Sequence, residues 1–569
     1  MPFDAAPLPF ESVRDLGRAR AADSSDATYL VAYDAEGRRE ELTYAQFWAR
    51  ARGLGRWLGA ELDLRPGARV ATFAHNSLEA ALATFAALDA GLVLVPCNMT
   101  EDVERLRFVL RNSEAQALLA LAPYAERARA VAAEDGIRAL AALSGEPSGL
   151  RRRPSWEELA REGDHASDGA GPVRDDEALI VYTSGTTGAP KGVVLEHGNL
   201  LADAAGIAAW HRLTAGERMM CVLPVHHVNG LVVTLVTPQV YGGSVVLNAR
   251  FQTEHFWRRI AAEGVQVASV VPTLLAFLLE RPELAEREDL RRFRHVICGA
   301  GPLTVELAQR FEERFGVPIV HGYGLSETTC YSSFLPVDLS PEEHARWMRD
   351  HGFPSIGVAV PPNEMAVHDA EGRELPDGQR GEIVIRGHNV MRGYFARPEA
   401  NAEAFAHGWF RSGDEGFRSG GHFFITGRIK ELIIRGGVNL SPLEIDETLN
   451  RIPGVAAGLA VGFANDWYGE EVGAYVKRAA GADLVEQDVL RACVSALPFH
   501  KRPKVVVFGD AVPVTSTGKY QRRRLLQLFE RWRGVQFREG PQGLPEAAGP
   551  VGTGRAEGGT PPRDEGGRS

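Results

Sequence analysis

The segment YTSGTTGAPKGV, from Tyr182 to Val193, combines three glycines, three threonines, a serine and a lysine directly after the apolar run EALIV. Glycines let backbone N–H groups converge on an anion, hydroxyls add donors, and Lys191 supplies positive charge. The segment therefore favours a phosphate cradle, although such clusters also form ordinary surface turns. It does not match the P-loop pattern, because the sixth residue from Gly185 is Pro190 and the lysine is followed by glycine.

A second segment, HGYGLSETTC, places Tyr323 between Gly322 and Gly324 and follows it with Ser326 and Glu327. A tyrosine ring flanked by glycines can present its face to a planar base. A hydroxyl next to a carboxylate offers the oxygen ligands that a hard cation bridging phosphates requires. Taken alone, such a segment is more often a turn with a solvated glutamate than a binding site.

Further charged residues lie in turn-like segments towards the C-terminus. RSGD contains Asp414, whose two oxygens suit paired ribose hydroxyls, GRIKELIIRGG contains Arg428 and Lys430, and TSTGKYQRRR contains Lys519. Each of them is also compatible with an ordinary exposed turn. CGAGPLT begins like a dinucleotide fingerprint, but the sixth position counted from Gly299 is Thr304 rather than glycine or alanine, which disfavours a nicotinamide site.

In this order and at these distances, the motifs resemble those of the adenylate-forming superfamily, which includes acyl-CoA synthetases, adenylation domains of peptide synthetases and luciferases. The resemblance covers about residues 20–533 and is strongest for the acid–CoA ligase branch; it includes LPVHHVNG and HGWFRSGD. It implies that a carboxylate attacks the α-phosphate of ATP, giving acyl-AMP and pyrophosphate. A thiol, commonly that of coenzyme A, then displaces AMP.

The resemblance implies a set of residues around the β- and γ-phosphates of ATP. The phosphate-binding residues would be Thr183, Ser184, Gly185, Thr186, Thr187, Gly188 and Lys191. Ser326 would reach a phosphate, and Glu327 would hold Mg²⁺. The opening segment is then the phosphate-binding loop of the family.

The same resemblance implies residues for the rest of the nucleotide. Tyr323, with Gly322 and Gly324 beside it, would stack on adenine, and Asp414 and Arg428 would bind the ribose hydroxyls. The residues lining the nucleotide and acyl clefts would be Gly299, Ala300 and Gly301.

Other residues are implied in the chemical steps. Lys519 would be inserted by a small C-terminal domain for adenylation, and Lys430 would be the hinge about which that domain turns. Gly436 and Gly437 would allow the pantetheine thiol of coenzyme A to approach closely. His227 would lie near the reacting carboxylate, and a hydrogen-bonded core histidine is the competing interpretation.

The acid is less sharply indicated than the reaction. The segments expected to line its pocket, VNGLVVTLV and VVPTLLAFLL, contain no arginine or lysine. A second carboxylate on the substrate would be left there without a counter-charge, at high cost. We therefore expect an apolar fatty or aryl monocarboxylic acid. A free amino acid is disfavoured, because PVHHVNG contains no aspartate to hold an ammonium.

Two alternatives to an acid–CoA ligase stay open at this point. The first is a free-standing adenylation enzyme that passes acyl-AMP to a separate carrier protein or another nucleophile. The second is a non-catalytic nucleotide-binding relative, and the joint presence of Lys191, Glu327 and Lys519 disfavours it.

The elements that must position these residues alternate between helical and strand-like patterns. TYAQFWARARGLGRWLGAEL predicts a helix capped by Thr43, and ARVATFAH, LVLVP, VQVASVVPT, HVICGAG and VPIVHGYG predict buried strands. This alternation is typical of α/β units with mostly parallel sheets, which bind ligands beyond the carboxyl ends of their strands. MAVHDAEGRELPDGQRGEIVIRG predicts a hairpin, and GHFFITGRIKELIIRGG predicts two short strands around Gly427.

The predicted fold is α/β, with layered, mostly parallel sheets and a β-rich subdomain in a large N-terminal domain. A small, mobile α+β domain follows. The expected boundaries are an N-terminal extension at 1–19, the large domain at 20–427, the small domain at 428–535 and a disordered Gly/Pro-rich tail at 536–569.

Composition excludes several other classes of protein. The 569 residues are enough for more than one domain, and a formal net charge of −11 argues against nucleic-acid or anionic-membrane binding. The five cysteines form no C-x-x-C pair, and no apolar run is long enough for a membrane span. We expect a cytoplasmic protein, a monomer or homodimer, that uses ATP, Mg²⁺, a small carboxylic acid and coenzyme A or a carrier protein.

Overall fold

The computed structural model divides the chain into two compact units. The first unit is Met1–Ile429 with Val514–Tyr520, and the second is Lys430–Pro513 with Gln521–Ser569. The residues described by the structure are 8–132, 136–145, 149–164, 170–183, 190–361, 363–514 and 520–548.

The helices of the first unit begin where the sequence offers capping side chains. Thr43 and Gln46 form a capping box, and Ser77 and Asp102 cap the next two helices of the pattern. The helices are α1 (Val13–Asp23), α2 (Tyr44–Glu61), α3 (Leu78–Asp89), α4 (Val103–Asn112), α5 (Ala125–Ala132), α6 (Trp156–Asp164), α7 (His197–Trp210), α8 (Thr237–Tyr241), α9 (Thr253–Glu263), α10 (Pro272–Glu280), α11 (Val305–Phe315), α12 (Pro341–Arg349) and α13 (Pro398–Ala404).

Most strands of the first unit are short and buried, as the apolar runs predicted. They are β1 (Thr28–Tyr33), β2 (Arg39–Thr43), β3 (Arg69–Phe73), β4 (Val93–Cys97), β5 (Ala117–Ala120), β6 (Ala139–Ala142), β7 (Arg151–Arg152), β8 (Glu177–Thr183), β9 (Lys191–Glu196), β10 (Arg218–Cys221), β11 (Ser244–Asn248), β12 (Val267–Val270), β13 (His295–Cys298), β14 (Ile319–Tyr323), β15 (Ser333–Phe334), β16 (Val358–Ala359), β17 (Glu364–His368), β18 (Gly381–Arg386), β19 (Gly393–Tyr394), β20 (Phe410–Ser419) and β21 (His422–Arg428).

Within the described residues, these strands form two large sheets and one smaller sheet. The large sheets run β16-β15-β14-β13-β12-β10-β11-β1-β2 and β19-β9-β8-β4-β3-β5-β6-β7. Most of their pairs are parallel, and antiparallel pairs occur towards the edges, except that the edge pair β6–β7 is parallel. The smaller sheet, β17-β18-β20-β21, is antiparallel throughout and is the predicted β-rich part. The predicted fold class is confirmed.

The second unit is α+β. Its helices are α14 (Pro442–Asn450) and α15 (Glu486–Ala496), and its strands are β22 (Ile433–Arg435), β23 (Val438–Leu440), β24 (Val455–Asn465), β25 (Gly469–Arg478), β26 (Val505–Phe508), β27 (Gln536–Glu539) and β28 (Pro545–Ala548). One sheet runs β23-β22-β25-β24, and β26 pairs in parallel with β25. A separate apolar core, which includes Ile433, Leu449 and Val476, lies inside this unit.

The start of the predicted disordered tail is wrong. β27 and β28 pair antiparallel within 536–548, and Phe537 is buried. Arg502 donates through Nη1 to Glu539 Oε1 at 2.7 Å and to the carbonyl of Gly543 at 2.8 Å. The composition averaged over the whole tail hid this anchored hairpin, because Gly and Pro dominate the later part. Residues 549–569 lie outside the described residues.

A second correction concerns Gly427, which was expected to separate two short strands. β21 instead continues through Gly427 to Arg428, because this stretch pairs with Glu415 and Asp414 of β20. A 3-10 turn, Ile429–Glu431, follows it.

None of the helices in the described ranges combines the length and apolar character needed to cross a membrane.

Candidate active site

The residues expected to bind adenine and ribose lie together in the first unit. Tyr323 ends β14, and its hydroxyl donates to Asp414 Oδ2 at 2.7 Å. Arg428 Nε lies 3.0 Å from the other oxygen of Asp414, because the two residues are opposite each other in the β20–β21 ladder. Burial, followed by the Asp414 charge, raises the pKa of Tyr323 well above its ordinary value. A ring, a carboxylate and a guanidinium are thus held together at a strand end.

A second cluster joins the two residues expected to handle phosphate and metal. Glu327 lies in the 3-10 turn Ser326–Thr328, and its Oε1 accepts a hydrogen bond from the hydroxyl of Tyr394 at 2.9 Å. Lys191, the first residue of β9, places its Nζ 4.5 Å from the centre of the Tyr394 ring. Tyr394 therefore contacts both residues, although none of the sequence motifs pointed to it.

The two strands that flank the predicted phosphate loop form an antiparallel pair. Thr183, the last residue of β8, is opposite Lys191, the first residue of β9. Both chain ends of the loop are therefore fixed by the ladder. The predicted loop residues that lie outside the described residues are Ser184, Gly185, Thr186, Thr187 and Gly188.

Two of the predicted glycines, Gly299 of the cleft and Gly324 beside Tyr323, lie where a side chain would collide with neighbouring atoms. A Cβ on Gly299 would lie 2.8 Å from the carbonyl oxygen of Gly322 and from the ring of Tyr331. A Cβ on Gly324 would lie 1.6 Å from the carbonyl oxygen of Cys330. Ala300 adopts a positive φ of 64° between Gly299 and Gly301. Close packing therefore accounts for these glycines whether or not a ligand lies against them.

The predicted acid-binding segment contains a π-helix, Asn229–Val236, which begins two residues after His227. π-Helical turns are rare and often occur at functional sites. The centroids of the two imidazole rings are 4.3 Å apart, and burial lowers the pKa of His226 to about 4. His226 is therefore neutral at physiological pH.

A chain of neutral polar side chains begins at the first residue of this π-helix. Ser269 donates to Asn229 Oδ1 at 2.7 Å, and Asn229 Nδ2 donates to the hydroxyl of Tyr331 at 3.1 Å. The three side chains are buried, and they are held by each other rather than by a charge. The absence of arginine and lysine from the predicted pocket segments gave no indication of this chain.

Tyr331 is also held from behind by a buried carboxyl. The backbone N–H of Tyr331 donates to Asp203 Oδ1 at 3.1 Å, and Asn389 Nδ2 donates to the Tyr331 carbonyl at 3.0 Å. Burial raises the pKa of Asp203 to about 8, although its hydrogen bonds to Tyr331 and Asn389 act in the opposite direction. Asp203 is therefore mostly protonated at neutral pH.

Comparisons with known proteins identify the family of this chain. The family model "AMP-binding enzyme" matches residues 17–395, and "AMP-binding enzyme C-terminal domain" matches residues 444–519. This chain belongs to the AMP-binding enzyme family. It is an enzyme of the acyl-CoA synthetase branch, as the motifs indicated.

Curated relatives of this AMP-binding enzyme are named for different acids. A sulfoacetate–CoA ligase of Cupriavidus necator is 35% identical over 91% of this chain and 98% of its own length. A feruloyl-CoA synthase of Amycolatopsis is 33% identical over 86% of this chain and 94% of its own length. ATP-bound MatB from Rhodopseudomonas palustris is 28% identical, with a TM-score of 0.80, over 91% of this chain and 99% of its own.

In the second unit of this AMP-binding enzyme, Gly436 and Gly437 form a two-residue hairpin turn between β22 and β23. Their φ angles are +57° and +83°. Such turns require positive φ at both central residues, which explains two glycines without a ligand. Lys430, the predicted hinge residue, is the first residue of this unit. Lys519 lies outside the described residues.

The donor set around Glu327 is compatible with Mg²⁺. The carboxylate of Glu327 and the hydroxyl of Ser326 are adjacent hard oxygen donors in one turn. In the described part of the chain, no three His, Cys, Asp or Glu side chains come together in a way that could hold a metal. Mg²⁺ is usually bound by one or two carboxylates together with water and substrate phosphates, so a single carboxylate is sufficient.

Proposed function

We propose that this enzyme is an ATP-dependent acid–CoA ligase. It converts a carboxylic acid and ATP to acyl-AMP and pyrophosphate, and then converts acyl-AMP and coenzyme A to acyl-CoA and AMP. The observation that carries the proposal is the Tyr323–Asp414–Arg428 cluster at the end of β14. It combines an aromatic ring with paired acceptor oxygens at a strand end, where α/β proteins bind nucleotides.

In the first step, we assign the nucleotide to the first unit. Tyr323 stacks on the adenine, and Asp414, oriented by Arg428, accepts hydrogen bonds from the ribose hydroxyls. Lys191 supplies positive charge to the phosphates, and Glu327 provides a carboxylate for Mg²⁺, which neutralises phosphate charge when bound. The reaction requires no protein nucleophile, so catalysis consists of positioning and charge stabilisation.

In the second step, we assign the thiol path to the second unit. The hairpin turn at Gly436 and Gly437 has no side chains and leaves room beside the backbone for a pantetheine arm. Lys430 is the proposed hinge, and Lys519 is the proposed adenylation lysine. These two roles rest on the family motifs.

For the acid, we propose an apolar fatty or aryl monocarboxylic acid. Asn229–Val236 and Pro272–Glu280 contain no lysine or arginine, and burial keeps His226 neutral. The Ser269–Asn229–Tyr331 chain satisfies its own hydrogen-bonding groups. A sulfonate or second carboxylate would therefore be desolvated without a counter-charge, at a cost of several kcal/mol.

The reaction and the acid class are tested together by incubating the enzyme with ATP, Mg²⁺, coenzyme A and single acids, followed by mass spectrometry. Ferulate, benzoate, decanoate and sulfoacetate cover the aryl, fatty and dianionic classes. We expect acyl-CoA, AMP and pyrophosphate from an apolar acid. Preference for sulfoacetate would overturn the proposed acid class. Acyl-AMP that persists in the presence of coenzyme A would indicate instead an enzyme that loads a carrier protein. ADP and phosphate would overturn the reaction.

The proposed division of labour is tested with Lys519→Ala. Removing one preorganised donor typically slows a reaction by about 10²–10³-fold, so we expect that loss in acyl-AMP formation from acid and ATP. The same variant, given synthetic acyl-AMP and coenzyme A, should form thioester at close to the unmodified rate. Lys477→Ala, which replaces a lysine of β25, is the matched control. Equal losses in both steps would contradict separate roles, and no loss would make Lys519 an ordinary loop residue.

A further inference from the structure

Tyr394 is fixed in the fold more firmly than an ordinary edge residue. It pairs with Val193 in the β19–β9 ladder. Its backbone N–H donates to Asn401 Oδ1 at 2.6 Å, and its carbonyl accepts from Asn401 Nδ2 at 3.0 Å. The residue is 9% exposed. The position of the ring and hydroxyl is therefore determined before any ligand binds.

The same stretch of chain also holds the turn that carries Glu327. The backbone N–H of Met391 donates to the carbonyl of Glu327 at 2.8 Å, three residues before Tyr394 donates to the carboxylate. The Glu327 backbone and one of its carboxylate oxygens are thus attached to a single segment. The hydrogen bond from Tyr394 is to Oε1, so Oε2 can be turned towards a cation.

Lys191 meets the same ring. Its Nζ lies 4.5 Å from the ring centroid, within the distance at which an ammonium is attracted to an aromatic face. A flexible lysine loses much of its rotational freedom in such a contact. Tyr394 thus touches a cationic side chain with its face and an anionic side chain with its hydroxyl.

We propose that Tyr394 is a positioning residue that orients the Glu327 carboxylate for the metal and the Lys191 ammonium for the phosphates of ATP. This inference rests on the proposed functions of Glu327 and Lys191. Residues that hydrogen-bond to a metal ligand usually alter metal affinity by about 10–100-fold when they are replaced. Losing the hydroxyl and losing the ring should therefore have different consequences.

The experiment measures binding rather than turnover. The full-length protein is titrated with α,β-methylene-ATP, in which the scissile bond is blocked, by calorimetry at a series of Mg²⁺ concentrations and in EDTA. Tyr394→Phe should raise the Mg²⁺ concentration needed for half-maximal binding by roughly tenfold, while binding in EDTA stays unchanged. Tyr394→Leu should also weaken binding in EDTA by about two- to fivefold, because the lysine contact is lost.

Tyr33 provides a matched control. Its hydroxyl donates to Glu263 Oε1 at 2.5 Å, and its ring faces Arg259 at 4.1 Å, so Tyr33→Phe removes the same kind of bond outside the proposed site. This control should leave both titrations unchanged. A shift of equal size in Tyr33→Phe and Tyr394→Phe would mean a general loss of folding and would overturn the inference.

Glu327→Gln separates failure of the inference from failure of the proposed site. If Glu327→Gln raises the Mg²⁺ requirement and Tyr394→Phe does not, the role of Tyr394 is wrong and the metal site stands. If neither variant changes the Mg²⁺ requirement, the metal role of Glu327 is wrong, and the inference falls with it. Melting of the ligand-free variants identifies any that have not folded.

Discussion

Two buried carboxyls, Asp203 in the first unit and Glu471 in the second, are satisfied in different ways. In the first, the buried carboxyl of Asp203 is bonded to the backbone of Tyr331 and to the amide of Asn389, both uncharged. In the second, Glu471 is fully buried beside Arg435, at 2.6 Å, and Lys504, at 3.4 Å. Asp203 is thus held by neutral hydrogen bonds, whereas Glu471 is held by ion pairs, as Asp414 is in the first unit.

The two carboxyls hold different parts of the proposed site. The neutral network holds Tyr331 beside the proposed acid pocket, where a fixed charge would change which acids can be desolvated. The ion pairs hold Arg435, the residue before the Gly436–Gly437 turn, and burial lowers the pKa of Lys504 to about 8. We infer that the carboxyl of Asp203 can be neutralised at little cost, whereas that of Glu471, which faces two cationic side chains, cannot.

The largest expected effect is on Asp446 of the second unit. Its carboxylate forms a bidentate pair with Arg522 and accepts a hydrogen bond from the backbone of Ala460 at 2.6 Å. Asp446→Asn leaves the guanidinium without its counter-charge, which typically costs about 3–5 kcal/mol when a pair is buried. We expect a clearly lower melting temperature and faster hydrogen exchange in α14.

Glu444→Gln, on the same helix, is the control for this prediction. Glu444 pairs with Lys501, and both side chains are about a quarter exposed, so solvent screens their interaction. The control should change stability by less than about 1 kcal/mol. Similar losses in the two variants would contradict the distinction between buried and screened pairs.

In the first unit, Asp203→Asn should become more stable relative to the unmodified protein as pH rises, in contrast to the loss expected for Asp446→Asn. The folded pKa of Asp203, about 8, lies above its ordinary value of 3.8. Between these values the unfolded chain is ionised while the folded carboxyl keeps its proton, so stability falls as pH rises from about 4 to 8. Asparagine does not ionise. The melting temperature of Asp203→Asn, relative to that of the unmodified protein, should therefore increase from pH 5 to pH 8.

Burial also lowers the pKa of several histidines in the first unit, to about 4 in His197 and His321. Unprotonated in the folded state and protonated when unfolded, they should reduce stability as pH falls below about 6.5. Asp203→Asn and the unmodified protein share this loss, so it cancels in the difference between their melting temperatures. A difference in melting temperature that stays constant or shrinks towards pH 8 would contradict a protonated Asp203.

The smallest expected effect concerns the hairpin turn of the second unit. Alanine at Gly436, where φ is +57°, should cost about 1 kcal/mol in stability. It should also slow thioester formation from acyl-AMP by severalfold without slowing acyl-AMP formation. Gly481→Ala is the control, because Gly481 also has positive φ and open space around it. If both variants slow thioester formation equally, the turn has no specific role.

The sequence predicts the local elements better than the contacts between them. Thr43 marks the start of α2, and apolar runs mark β12 to β14, because capping and periodicity act over a few residues. Tyr394 could not be assigned in this way, since its role depends on the pairing of β19 with β9 from a distant part of the chain. The hairpin at 536–548 was missed because its few apolar residues are diluted by the composition of the tail.

The predicted site has the same limit. The motif order brought Tyr323, Asp414 and Arg428 to attention separately, and only the β20–β21 register and the end of β14 make them one cluster. The protonated state of Asp203 depends on complete burial, which the pattern of α7 does not reveal. The chemistry of each motif could therefore be predicted from the sequence, whereas the contacts between the motifs could be seen only in the fold.

The most direct test of the central claim is exchange of labelled pyrophosphate into ATP, measured without coenzyme A. If the enzyme forms acyl-AMP reversibly from ATP and a carboxylic acid, label should enter ATP only when an accepted acid and Mg²⁺ are present. Exchange should disappear when the acid is omitted. Acyl-CoA formation accompanied by ADP and phosphate, with no acid-dependent exchange, would contradict the adenylate route and the function proposed for this enzyme.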